Sequence, residues 1–247
     1  MTRPRPLAIL AAAFAAPLAL AAPAQACTVE AGYRAPTNLE LAAHADAIVL
    51  GQVTGGSGVV LPESTISVRP LAAIKGLLPG QDFKLAGMSV AADVPPSDPQ
   101  ELEAPHPDAL AGACIRRRFA PGATVLFFLD RADGQWVPAG GPFSRWAEDV
   151  EGLESPWVQL TAFYVRVAGL EPDRRVALIE AERDAFQARE GEPLAMAFAA
   201  DLERSLSVPL APPPPAPVQP DYGFRDPGDV SAVQRALDAM RADREDR

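Results

Sequence analysis

Three groups of residues in this chain have types and spacings that could support chemistry, and the first is a pair of cysteines. Cys27 and Cys114 are the only two in the sequence. Cys27 directly follows Ala24-Gln25-Ala26, the small-x-small pattern at which signal peptidase cuts, so cleavage would make Cys27-Thr28 the start of a mature chain. In an oxidising compartment two cysteines have one possible pairing, Cys27 with Cys114. Closing that 88-residue loop would constrain the unfolded chain by about 4–5 kcal/mol in the entropic account. It would also fasten a terminus that otherwise frays. A plain stabilising staple is the bland reading of the same bond. Lipid attachment at Cys27 is the rival, disfavoured because Ala24-Gln25-Ala26 lacks the leucine and the small middle residue of a lipoprotein signal.

The second group is the two histidines, His44 and His106, too few to build a histidine-based metal centre or a catalytic triad. His44 falls in a short helix and reads as a surface or packing residue. His106 stands among Glu101, Glu103 and Asp108, where weak cation binding competes with a solvated acidic loop; the spacing matches no zinc or calcium motif, and the solvated loop is the expectation. The third group is Arg116-Arg117-Arg118, the chain's one basic cluster. It could grip an anion, but a solvated face balancing the acidic residues before it is the simpler reading. Carboxylates are plentiful, yet none is nominated as acid or base without a pocket to place it. No glycine-rich phosphate loop is present, and no nucleophile stands in a recognisable setting. The expectation is therefore a protein with no catalytic residue, no resident metal and no cofactor.

The segment before Cys27 explains the compartment. Arg3 and Arg5 give a positive start, and Leu7 to Leu20 is an apolar run interrupted by Pro17. That run is short of the roughly 20 residues a spanning helix needs, so residues 1–26 read as a signal peptide and no membrane span is expected after cleavage. Export to a periplasmic or extracellular space follows. Losing the leader removes two arginines and leaves 20 basic against 32 acidic residues, net −12. Such a surface repels a phosphate backbone, which argues against nucleic acid as a partner.

The elements that must position these residues come in two styles. Thr37-Asn38-Leu39-Glu40 is a capping box opening a helix through about Asp46. Strands are predicted over 47–53, over 65–74 with Pro70 confined to an edge or bulge, over 82–90, over 123–129, and over 135–138 after the Asp133-Gly134 turn. Residues 91–113 interrupt this pattern with Pro95, Pro96, Pro99, Pro105 and Pro107 and the acids Asp93, Asp98, Glu101, Glu103 and Asp108, as a functional or mobile loop does. Five strands and a helix without βαβ alternation favour a small closed or partly closed antiparallel barrel. From Ser155 the periodicity is helical, with helices predicted over 155–167, 172–189 and 192–207. The expected fold class is α+β, a five-stranded barrel over 27–150 followed by a helical region over 151–208. A proline-rich linker over 209–221 then leads to a charged tail, 222–247, in which Val230, Val233, Leu237 and Met240 form a narrow apolar seam.

Cys27-Thr28, then "ADAIVLGQV", "ISVRPLAAIKGL" and "ACIRRRFAPGATVLFFLDRADGQW", together resemble the netrin-like module of the tissue inhibitors of metalloproteinases, over residues 27–141. The resemblance implies an OB-fold barrel whose N-terminal cysteine is disulfide-bonded to the cysteine before the fourth strand, matching Cys27 and Cys114. It also implies a role for the terminus. The α-amino group and carbonyl of Cys27 would chelate the zinc of a target metalloprotease, and Thr28 would enter the adjacent pocket. An α-amino group titrates near 7.7–8.0, so a neutral fraction is available to a metal at ordinary pH. The functional expectation is a non-enzymatic exported binding module of unassigned ligand, with a metalloprotease inhibitor acting through Cys27 and Thr28 as the alternative and an enzyme of unrecognised type as the least favoured.

Overall fold

A computed structural model describes residues 29–60, 63–77 and 79–210. The leader with Cys27 and Thr28, the linker beyond Leu210 and the charged tail lie outside these residues. The chain combines a curled antiparallel sheet with helices before and after it.

Helix α1 (Asn38–His44) begins where the capping box placed it: Glu40 N–H donates to Thr37 Oγ1, and the Glu40 carboxylate accepts from Thr37 N–H. Strands β1 (Ala47–Gly56), β2 (Thr65–Lys75) and β3 (Phe83–Ala86) follow as an antiparallel meander. Then β6 (Thr124–Ala132) pairs along the free side of β1, and β7 (Gln135–Pro138) folds back on β6, giving the order β3-β2-β1-β6-β7. A short β8 (Ala147–Asp149) continues beside the first half of β6. The terminal strands β3 and β7 approach each other across the curl, but no ladder joins them among the described residues.

Pro70 sits opposite Gly51 at a register shift in the β1–β2 ladder. β3 reaches only Thr65 to Val68, so Pro70's missing N–H faces an unpaired side of β2. Gly51 is required for a different reason. A Cβ there would stand 2.5 Å from Val68 Cγ1, so the curl brings these strands too close for any side chain.

The predicted strand over 82–90 is corrected. It divides at Gly87, whose φ of +71° turns the chain out of β3, and its N–H donates to Ser64 O at 2.7 Å. Beyond the turn, β4 (Ser89–Val90) leaves the main sheet and pairs in parallel with β5 (Arg118–Phe119). The loop 91–113 therefore starts and ends on one two-stranded ribbon.

β6 reads as a continuous apolar run because both of its faces are covered. Phe127 meets Phe119 and Trp146, with ring centroids 5.7 and 5.9 Å away, while Phe128 faces Trp157 of the next helix at 6.4 Å. That helix, α2 (Pro156–Ala168), is followed by α3 (Pro172–Gln187) and α4 (Pro193–Ser207), each with proline in its first turn. Ser155 precedes α2 but its hydroxyl accepts from Glu151 and Gly152 N–H rather than capping the helix. The apolar core runs without a break from the sheet into α2 and α4, through Trp157, Tyr164, Phe198 and Leu202. No helix of the described residues is long and apolar enough to cross a membrane.

Candidate functional site

The segment leading into α1 is held down residue by residue. Tyr33 N–H closes a turn on Glu30 O at 3.0 Å, with Gly32 at φ +84° inside it. The Tyr33 hydroxyl donates to Pro142 O across the molecule. Arg34 then grips Glu40 with both terminal nitrogens, at 2.5 and 2.6 Å. Burial alone would push the Glu40 carboxyl up, but Arg34 and the Thr37 N–H and hydroxyl outweigh it and hold the group down at about 2.

The surface under this segment is the 139–144 loop, and it is tightly wound. Gly140 has φ +81°, and a Cβ on it would lie 2.7 Å from Leu41 Cδ1 and 3.0 Å from Pro36 Cγ. Phe143 takes φ +56° and donates its N–H to Cys114 O at 2.5 Å; Cys114 itself takes φ +60°. Two non-glycine residues in the left-handed region and bonded to each other are uncommon, and such backbone gathers where a surface must keep one shape. Cys114 is buried and is not a free thiol. Its predicted partner, Cys27, and the predicted contact residue Thr28 lie outside the described residues. Val29, Glu30, Ala31, Gly32, Tyr33 and Pro142 line a shallow groove of about 430 Å³ at this edge.

Arg118 is partly exposed and balances Asp93 and Asp108 of the preceding loop, as expected, but Arg116 is not part of a solvated face. Arg116 is fully buried: Nη2 reaches both Asp149 oxygens at 2.8 and 3.0 Å, Nη1 donates to Ala147 O and Nε to Arg118 O. Its guanidinium also lies 4.6 Å from the Phe119 ring centroid. Asp108 is the matching acid on the loop, accepting from the N–H groups of Arg117 and Arg118 at 2.7 and 2.9 Å and from Arg118 Nε at 2.6 Å. Burial raises the Asp108 carboxyl, and these donors overcome that to leave it below its ordinary value.

Asp93, Asp98, Glu101 and Glu103 are exposed, as expected of a solvated acidic loop, but His106 and Asp108 are buried. The physical reason is the loop's apolar content: Val94, Leu102 and Ala109 enter the core and carry the intervening polar residues inward. Asn38 Nδ2 holds Leu102 O at 2.8 Å, and Arg145 Nη1 holds Ala104 O at 2.7 Å. Arg145 itself pairs with Glu148 at 3.0 Å, both buried; burial first, only partly offset by Arg145, pushes the Glu148 carboxyl up.

Asp201 is the element of this framework that sequence reasoning missed. It is completely buried on α4 and accepts from Asn38 Nδ2, Tyr164 Oη and Arg204 Nη2 at 2.9, 2.6 and 2.8 Å, tying α1, α2 and α4 together. Its only sequence signal is an acid on the apolar face of α4, one residue before Leu202. His44 is half-buried at the end of α1 and lines a separate depression with Lys75, Val165, Ala168 and Leu210. Lys75 Nζ donates there to the carbonyls of Ala42 and Ala43 at 3.1 and 2.7 Å. Among the described residues no three His, Cys, Asp or Glu side chains are grouped to hold a metal ion. No known family's sequence profile matches the chain, and no curated protein matches it.

Proposed function

We propose that the mature chain is an exported, non-enzymatic binding module that presents the edge next to its N-terminus to a partner, on a barrel of the kind found in the tissue inhibitors of metalloproteinases. The observation that supports this reading most is the fastening of that edge. Tyr33 to Pro142 and Phe143 to Cys114 join the N-terminal segment, the 139–144 loop and the end of the 91–113 loop into one surface. A segment held this way loses little freedom on binding, so more of its contact energy becomes affinity. A disulfide from Cys27 to Cys114 would complete it. Intact mass of the exported protein, before and after reduction, tests the reading: a chain starting at Cys27 that gains two hydrogens supports it, and a lipid on Cys27 or an uncut leader overturns it.

The second reading is zinc chelation in a target metalloprotease by the Cys27 amine and carbonyl, with Thr28 in the neighbouring pocket. The groove from Val29 to Tyr33 favours it, because it is lined by the residues that follow Thr28 directly in sequence. Val29 weakens it, since the inhibitors carry a further cysteine at that position. Zinc proteases should be inhibited by protein beginning at Cys27 and spared by a version with one extra residue before it. Equal inhibition by both versions, or by neither, removes chelation and leaves the first reading standing.

A further inference from the structure

We propose that residues 91–113 are an acid-loosened strap and that His106 is the latch that senses the proton. The inference is independent of what the N-terminal edge binds.

The geometry around the ring permits one protonation state. His106 Nδ1 accepts the N–H of Asp108 at 3.1 Å, so it carries no proton, and Nε2 lies 3.0 Å from Pro95 O, which can only accept. The ring is therefore the neutral Nε2–H form, and it staples the beginning of the strap to its end. A second proton on Nδ1 would point at the Asp108 N–H, setting donor against donor.

The charged groups facing the ring come from three places. Asp108 lies on the strap itself, Arg116 on the segment before β5, and Asp149 on β8. Arg116 and Asp149 are already committed to each other, so Asp149 is a poor counter-ion for an imidazolium. Asp108 is committed to Arg118 and to the two backbone N–H groups. Burial first, and Arg116 second, place the ring's titration below its usual range; Pro95, Asp149 and Asp108 oppose them and do not prevail.

Charging His106 breaks the Asp108 contact and forces the ring outward. What then moves is bounded by the other anchors. Ser97 stays tied to Asp149 at 2.9 Å, Leu102 to Asn38 and Ala104 to Arg145, so the loosened part is the run from Pro105 to Ala113, in which the Asp108 carboxylate keeps its hold on Arg117 and Arg118 and which leads directly to Cys114 and the N-terminal edge. Leu110, 63 % exposed in that run, is the apolar residue whose presentation would change.

Amide hydrogen exchange of the full mature chain tests this, with rates corrected for the intrinsic effect of pH. Between about pH 7.5 and pH 5, exchange over 105–113 should accelerate about tenfold or more while β1 and β6 stay protected. In His106→Gln, which stays neutral across that range, the strap's response to pH should be lost. A uniform change over the whole protein, or an unchanged response in His106→Gln, would overturn the proposal. Should that variant not fold, an NMR titration of the His106 ring in the unaltered protein decides instead: a midpoint at or above the ordinary histidine value, or 105–113 amides that do not shift with the ring, sinks the latch, and a lower midpoint accompanied by shifts in those amides sustains it.

Discussion

Arg116 and Asp149 lie 33 positions apart in sequence and meet under the acidic loop, with Arg116 Nη2 placed 2.8 and 3.0 Å from the two carboxylate oxygens. The guanidinium side chain is 2 % exposed and the carboxylate 16 %. The pair therefore sits at the boundary between interior and water, with the arginine wholly inside. Its partners are the Ala147 and Arg118 carbonyls and the Phe119 ring, so β5, β8 and the aromatic core share one cation.

Removing one half of a buried pair strands the other half. Asp149→Asn should lower the free energy of unfolding by about 3 kcal/mol or more, because it leaves the wholly buried guanidinium without a counter-ion, whereas Arg116→Met should cost less, because the partly exposed carboxylate keeps its Ser97 donors. Urea unfolding of both single variants and the double variant checks this. Strict additivity of the two changes would show that the pair is not coupled.

Glu40 offers a cleaner dependence on acid. Its carboxyl is held at about 2, against an ordinary value of 4.5, so its contribution is complete above 4.5 and is lost as pH falls toward 2. Arg34 is half-exposed, and solvent screening reduces the effect. Glu40→Gln should therefore cost about 1–2 kcal/mol near neutral pH and close to nothing at about pH 2. Thermal unfolding of the two proteins across that range should converge at the acid end.

Asp130 runs the other way. Burial first, and the neighbouring Asp46 carboxylate after the opposing Asp46 N–H, raise it to about 6 despite Lys75. A carboxyl raised in the folded state stabilises most below its ordinary value of 3.8, and that contribution is lost as pH rises through 6. Asp130→Asn keeps an oxygen for the Asp46 N–H and removes the charge, so it should be more stable than the unaltered protein at about pH 7.5, by about 1 kcal/mol, and equal to it at about pH 4. A variant less stable at both pH values would contradict the assignment of burial as the cause.

Local signals were legible wherever neighbours in sequence are also neighbours in space. The Thr37–Glu40 box placed the start of α1, Asp133-Gly134 placed the β6–β7 turn, and proline in the first turn marked α2, α3 and α4, because caps and tight turns close within a few residues. Strand 82–90 was misread because its apolar alternation continues through Gly87, where the backbone turns. The arginine cluster and His106 were read as solvated because a run of charged residues interleaved with proline carries no periodic mark of burial.

What the sequence alone determined is the inventory: two cysteines with one pairing open to them, two histidines, an acidic surface, and a β-rich first half followed by helices. Which polar residues go inside was decided only by the tertiary structure. Val94, Leu102 and Ala109 enter a core built by strands far away in sequence, and they take His106, Asp108 and Arg116 with them. Those groups can be buried only because Asp149, Pro95, Ala147 and the Arg117 and Arg118 amides are waiting there. A polar group is tolerated in an interior when its partners are already fixed, and such partners are supplied by the fold rather than by the adjoining residues.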